Sequence, residues 1–500
     1  MRKQNQRGVA LIFALVMSLT ASVMAVSLVF LARSEAFSSM NYRLMSQSRD
    51  AAEAGVNKAA NFLMYAHAKP GGAGNPMSNY GRTGHRVTFG GNPVVLSANS
   101  NVASNYNVSG EQSAFSAAAQ GTVMAGNTPV AYNASAQLLS MREVIPYGLT
   151  APTTIETWRI ISDGSVSGIQ NSLVQVSSVL EQQVTPVFAY AAFADSAGCS
   201  ALTFGGGGTT DSYDSQAALS GGQPVTSATD GNVGTNGNLS TSGNPTTING
   251  TLSTPRTGVG TCSTSNVTAW TSNQGTVTGG LVELPQPVIH PTPTIPPAGT
   301  TNVASNAACP AGLVGCQVTG SGGGSYMTLN PSAAGGACAS ASPPNCTMSL
   351  GDVAMNGNAD LHLAAGIYNI NSLTQTGNTR LILDSVPVIV NVTGAGQTTV
   401  VNLTGGGLVN TTGNYDPMTF QILYAGTGAI SLKGGANAVG VVYAPNAAYS
   451  FAGGGDWYGA IIGHTLVDMG GAAIHYDRRL SGEAYMVGNY TMGSFSWKKF

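Results

Sequence analysis

The side chains able to do chemistry in this 500-residue chain are few and dispersed. In its last third the carboxylates Asp352, Asp360, Asp384, Asp416, Asp456, Asp468 and Asp477 fall singly, mostly beside turn residues, among the cations Arg380, Lys433, Arg478 and Arg479 and the histidines His362, His464 and His475. Cleaving a polysaccharide by acid and base needs carboxylates clustered on one groove. Isolated aspartates at turns more often hold the local backbone, and the three histidines read as packed or surface residues. "DGNVGTNGN", Asp230 to Asn238, has the polar, glycine-rich pattern of a calcium loop but lacks the bidentate acid that closes one, so it reads as turn chemistry. No GxSxG, HExxH or phosphate-binding loop occurs. The sequence predicts no catalytic residue, no metal site and no cofactor.

The cysteines are the remaining reactive groups: Cys199, Cys262, Cys309, Cys316, Cys338 and Cys346. None forms a CxxC pair and none has a histidine within a few residues, which counts against zinc. Cys309 with Cys316 and Cys338 with Cys346 close short loops at little entropic cost, which leaves Cys199 and Cys262 for each other by elimination. Three disulfides require an oxidising compartment, so the bulk of the chain is expected outside the cytoplasm.

The elements that must carry these residues begin with an apolar segment. Gly8 to Ala32 is 25 residues without a charge, long enough to cross about 30 Å of hydrocarbon as a helix and too long for a cleavable signal. Arg2, Lys3 and Arg7 precede it, which keeps the first residues cytoplasmic and sends the rest across the membrane. From Arg33 to about His67 there is no proline and almost no glycine. Phe37, Met40, Leu44, Ala51, Gly55, Ala59 and Phe62 recur mostly three or four apart, so the membrane helix is predicted to continue into an amphipathic one, stopped by Pro70. Charged residues are 8% of the chain, glycines number 66 and the formal net charge is −2, a balance that offers no basic stripe for nucleic acid.

Arg7-Gly8 before an apolar run, "NYR" at Asn41 to Arg43 and "AAEAG" at Ala51 to Gly55 together resemble the N-terminal module of PilX-type pilus assembly proteins, relatives of type IV pilins. The likeness covers the first 65 or so residues. It implies that a prepilin peptidase cuts between Gly8 and Val9, that the helix first anchors in the inner membrane and then packs in a filament core, and that the partners are other pilin subunits and the inner-membrane assembly platform. Major pilins usually carry glutamate at the fifth mature position, where this chain has Phe13. A buried carboxylate is tolerable only when paired, and a subunit without it fits a minor or filament-end position. "VYAPNA" at Val442 to Ala447 and "AIHYD" at Ala473 to Asp477 are similar to phrases in the C-terminal domains attached to such helices.

Beyond the helix the chain reads as β. Short, partly alternating segments between residues 70 and 189, split by Gly, Asn and Asp, predict a small antiparallel sheet on the second half of the helix. After residue 189, Gly-Asn and Gly-Gly turns recur, several near 20 residues apart, with apolar segments such as "RLILD" and "VGVVYAP" between them. That period is the signature of a β-solenoid, with a jelly roll or sandwich as the competing architecture. "LPQPVIHPTPTIPPAG", Leu284 to Gly299, is predicted to be an extended, semi-rigid connector.

The expected fold class is therefore α+β: a long N-terminal membrane and stalk helix, a small antiparallel β region, then a mainly-β C-terminal domain. The expected division is 1–8 leader, 9–69 helix, 70–189 pilin-like β region, 190–282 first solenoid-like segment, 283–347 proline-rich linker with a cysteine-rich insertion, and 348–500 solenoid-like domain and tail. The expected function is a minor pilin-like subunit of a type IV pilus or related secretion apparatus. It would sit in the inner membrane with its bulk in the periplasm and then on the cell-surface pilus, its β head used for adhesion, including to a host or surface glycan, or for partner contacts. A membrane-tethered β-helix that binds or cleaves glycans is the alternative.

Overall fold

The computed structural model describes residues 7–82, 86–125, 128–167, 171–320, 324–333, 346–433, 438–451, 453–468 and 470–499. The chain forms two compact units. Residues 1–144, 152–183 and 489–500 make the first, and residues 145–151 and 184–488 the second.

The first unit is built on one helix, Arg7–Tyr65, of 59 residues. The Phe62 carbonyl accepts from the amides of both Ala66 and His67, and the chain turns away before Pro70. Its C-terminal half lies on a sheet in the order Tyr485–Lys499, Ser172–Pro186, Thr153–Val166, Thr128–Val144 and Val95–Ser97, with Gln120–Ala125 also pairing Thr128–Val144. The pairs among Val95–Ser97, Gln120–Ala125, Thr128–Val144, Thr153–Val166 and Ser172–Pro186 are antiparallel, and their burial alternates as a half-covered sheet requires. Ala52, Val56, Ala59 and Leu63 of the helix meet Ala136, Leu138, Trp158, Ile160 and Val176 of the sheet in one core, closed at one side by Phe115 of the short helix Ser109–Ala118. The sequence placed the C-terminal tail with residues 348–500. Residues 489–500 instead complete this first unit, because Tyr485–Lys499 pairs with Ser172–Pro186.

The second unit is a parallel ladder whose stacking order differs from its chain order. In one column Val303, Val353, Leu373, Val401, Ile430, Tyr449 and Leu466 pair in succession. Leu466 then pairs with Leu202, Leu202 with Leu239 and Leu239 with Trp270. A second column runs in the same order from Met348 through Tyr368, Val390, Ile422, Val442 and Ile461 to Ala192, Val233, Leu252 and Leu281. The interior members of both columns are buried in a single core. Segments 190–282 and 348–488, separated in the sequence by a linker, thus share one stack: the strand pieces at 192–213 lie between those at 233–254 and those at 456–477.

The proline-rich connector makes this order possible. After the rung that ends at Leu281–Glu283 the chain must travel to the opposite end of the stack before Val303 can start the ladder. Leu284 N–H donates to Thr254 O, the Asn236 side chain bonds both backbone groups of Val288, Tyr443 Oη donates to Pro291 O, Asn446 Nδ2 donates to Thr292 Oγ1, and Gly351 N–H donates to Thr301 O. Sixteen residues of extended proline-rich chain span about 50 Å, and nine strand spacings cover about 43 Å. The connector is a strap along the stack.

Both ends of the stack carry a disulfide-pinned loop. At one end Cys309 and Cys316 are bonded, and Cys316–Thr319 runs antiparallel to Tyr326–Leu329, the first strand of a further parallel column that continues through Asp360–Leu363, Leu381–Leu383 and Leu408–Asn410. An antiparallel edge strand stops a parallel ladder from extending. At the other end Cys199 and Cys262 are bonded, and the loop they hold bridges Val259 to Trp270 of the last rung. Cys346 is buried, and Cys338 lies outside the described residues, so that expected pairing does too.

Candidate functional site

The helix is exposed where its sequence is most apolar. From Val9 to Phe37 every described side chain is exposed, with Leu11, Phe13, Val16 and Phe30 among the most open. Gly8 and Val9 both lie inside the helix. Three of the four hydroxyls in the apolar stretch donate within the helix: Thr20 Oγ1 to Met17 O, Ser22 Oγ to Ser18 O and Ser27 Oγ to Val23 O. This helix is the one among the described residues that is long and apolar enough to cross a membrane.

The same helix changes environment within two turns. Tyr42 of the "NYR" triplet is 72% exposed, whereas Ser48, Ala51, Ala52, Gly55 and Val56 are buried against the sheet. The "AAEAG" segment is therefore a close-packing face. A side chain at Gly55 would strike Ser162 Oγ and the Tyr132 ring, and one at Gly164 would strike the carbonyl of Ser48 and the amide of Ala52. Phe37 and Met40, members of the same predicted stripe, lie beyond the sheet and are exposed.

Past the helix end lies a buried polar cluster that sequence reading missed. His67 Nδ1 is 3.1 Å from Glu111 Oε2, and its Nε2 is 3.4 Å from Glu156 Oε2, near enough for charge but not aligned for a hydrogen bond. Glu156 is fully buried; its Oε2 accepts from Trp158 Nε1 at 2.9 Å, while its Oε1 has no hydrogen-bond partner among the described residues. The rings of Trp158 and Tyr106 stand edge-on to His67. Burial works against protonation of His67, but Glu156 and then Glu111 outweigh it, so the imidazole is held above its usual 6.5. A signal was present: the inward alternation of Trp158 and Ile160 puts Glu156 on the buried face of its strand.

The sign of that shift gives a prediction. A raised native value means that His67 contributes its full stabilisation below pH 6.5 and loses it as pH rises through the native value. The urea midpoint of the wild type should exceed that of His67→Gln by a gap that narrows from pH 6 to pH 9; a gap that widens refutes the charged pair.

In the second unit each predicted histidine has its own surroundings. His362 Nδ1 lies 2.7 Å from Asp384 Oδ1 and its ring stacks on Tyr326 at 4.3 Å. His475 Nδ1 lies 2.5 Å from Asp211 Oδ1, with Asp456 at 3.6 Å from Nε2 and Tyr458 stacked at 4.5 Å. His464 is exposed, and its charge reaches Asp195, which pairs at 2.6 Å with the strap's His290. Burial raises Asp195 above the ordinary carboxylate value, against the opposing pull of His290.

The carboxylates divide between backbone and side-chain partners. Asp416 accepts from Met418 N–H, Asp477 from Arg479 N–H, and Asp468 from the amides of Gly470 and Ala472; burial nevertheless pushes Asp468 up to about 6. Asp360 is held by Arg380, and Asp352 by Asn371 and Ser372. The "DGNVGTNGN" run works by its asparagines: Asn232 accepts from Thr251 N–H, Asn236 grips Val288, and Asn238 donates to Thr268 O. Among the described residues no group of three or more His, Cys, Asp and Glu side chains could hold a metal ion.

Residues 351–483 match a family described as a domain of unknown function, DUF7305. The matched stretch takes in the ladder from Asp352 to the "AIHYD" segment. Among solved structures, that of the competence-associated pilin ComZ from Thermus thermophilus is 12% identical, with 91% of this chain and 98% of that chain covered and a TM-score of 0.28, too low a likeness to bear on fold or function. No curated protein matches.

Proposed function

We propose that this chain is a minor pilin-like structural subunit of a type IV pilus or related secretion apparatus. The observation that carries the reading is the division of one helix: an exposed, uncharged first half, and a second half sealed by small residues onto its own sheet. A helix whose apolar half has no partner in its own fold is suited first to lipid and then to neighbouring helices. Cleavage between Gly8 and Val9 by a prepilin peptidase would release the basic leader and leave the helix intact. The second unit is read as a β-solenoid head, since its ladder is parallel from rung to rung, whereas a jelly roll or sandwich is built from antiparallel strands. Its role is structural, to present a surface for adhesion or partner subunits outside the cytoplasm.

The test separates assembly from head chemistry. Val16→Asp carries an insertion penalty of about 2.5–3.5 kcal/mol and should remove the chain from both the membrane fraction and sheared surface filaments. Gly8→Leu should leave an N-terminus at Met1, where the wild type begins at Val9. Filaments that incorporate Val16→Asp normally, or a wild-type chain that cleaves a polysaccharide and loses that activity in His475→Ala, would overturn the assignment.

A further inference from the structure

We infer that the fold carries a completion check: the sheet that seats the membrane helix is closed by a strand whose arrival depends on the second unit being folded. The chain leaves the first unit after Gln183 and returns to it at Asn489. What returns is part of the strand Tyr485–Lys499, beside Ser172–Pro186. Ser177 Oγ lies 2.8 Å from Ser496 Oγ, Ser178 Oγ donates to Gly493 O, and Thr491 Oγ1 donates to Glu181 O. The same strand reaches the helix. Tyr490 and Met492 pack on the core that helix and sheet share, the Tyr490 ring lies 5.1 Å from Lys69 Nζ, and the Trp497 ring lies 5.9 Å from Arg49 Cζ. The first unit therefore lacks an edge strand and part of its core until residues 489–499 arrive, and these are synthesised after the whole of the second unit.

Loop closure sets the size of the dependence. The probability that the ends of a flexible loop meet falls as the −3/2 power of its length. Thr491 and Glu181 are 310 positions apart, and that is the loop to be closed while the second unit is unfolded. The Cys199–Cys262 disulfide, with a sequence separation of 63, shortens it too little to matter. Once the second unit is folded, Val187 N–H donates to Ala484 O and both residues belong to its core. Roughly a dozen residues then remain to be closed, which makes the pairing about 100-fold more favourable. The coupling is reciprocal in free energy, but among the described residues the second unit's buried core has no member beyond Met486, so it stands without the last strand.

The consequence for assembly rests on the reading of this chain as a pilin-like subunit. A chain whose second unit has failed to fold still enters the membrane by its apolar half, but its helix is not seated for a filament.

Hydrogen exchange read by mass spectrometry on the full chain in detergent micelles tests the coupling. Trp457→Asp with Leu466→Asp puts two carboxylates at fully buried positions of the second unit. The amides of Asp456–Asp468 should lose protection, and those of Ser172–Pro186 should exchange about 100-fold faster at neutral pH, where exchange reports the opening equilibrium. At high pH, where exchange reports the opening rate, Ser172–Pro186 should open as in the wild type, because loop length acts on closing. Undiminished protection of Ser172–Pro186 beside an unprotected ladder would overturn the coupling, and a raised opening rate would assign it to lost contacts instead. Rising urea tests the wild type without substitution: Ser172–Pro186 staying fully protected after Asp456–Asp468 has exchanged would overturn it as well. In cells the double variant should remain in the membrane fraction and be missing from sheared filaments; its normal incorporation would overturn the completion check. A wild type that never enters filaments would overturn the pilin reading and its assembly consequence, whereas the exchange result bears on the coupling alone.

Discussion

Gly164→Leu should separate the long helix from its sheet and cost the first unit about 3 kcal/mol or more, at or beyond the upper end of the usual overpacking penalty because it displaces backbone rather than a flexible side chain. At this position a new Cβ meets the Ser48 carbonyl and the Ala52 amide, both part of the helix backbone, and neither can rotate away. The helix must shift as a body, and Ala51, Ala52 and Val56 lose their fit together. Gly164→Ala should already be strongly destabilising, since the clash arises at Cβ. Gly72→Ala, where the added carbon meets nothing within 4 Å, is the control and should be near neutral. Urea unfolding followed by Trp158 fluorescence reads all three, and a Gly164→Leu midpoint equal to wild type would show that helix and sheet are not in close contact there.

Tyr443→Ala should cost the second unit about 3–5 kcal/mol, as for other large buried aromatics. Tyr443 is fully buried, stands edge-on to Tyr147, Phe188 and the strap's His290, and donates its hydroxyl to Pro291. Removing the ring opens the core and frees the strap in one change. Tyr443→Phe keeps the ring and leaves the Pro291 carbonyl without that donor, for a smaller loss of about 1–2 kcal/mol. Limited proteolysis distinguishes the two effects: cleavage between Leu284 and Gly299 should accelerate strongly in Tyr443→Ala and only slightly in Tyr443→Phe. Equal protection of the strap in both variants would count against its anchoring by this residue.

The helix was legible in the sequence because its signals are local. Twenty-five residues without a charge, a stripe of small residues three or four apart and a proline beyond the end all act within a turn or two. The expected stop by Pro70 and the observed end at Tyr65 differ only by the fraying of the last turn. Strands between glycine turns were legible for the same reason. The stacking order was not, because alternation says which face of a strand is buried and nothing about which distant strand lies beside it. Leu202 sits between Leu239 and Leu466, and the second of these neighbours is more than half the chain away. The histidine pairs escaped notice for that reason: His475 finds Asp211 across 264 positions. Glu156 was hidden differently, as a carboxylate within an otherwise ordinary strand, where its inward register was readable but its partners His67 and Glu111 were not.

The discontinuous stack also decides how the second unit bears tension. In a ladder that runs in chain order, the chain enters at one end and leaves at the other, so a pull between entry and exit peels the terminal rungs first. Here Val187 N–H donates to Ala484 O, and Tyr476 Oη donates to Phe188 O, so entry and exit are bonded to one another at adjacent internal rungs. Tension applied between residues 184 and 488, two of the four points at which the chain passes between the units, is carried across that short junction. The disulfide-pinned ends, around Trp270 and around Val303, lie off the load path. Pulled between those two points, the second unit leaves the rungs farthest from the junction mechanically slack.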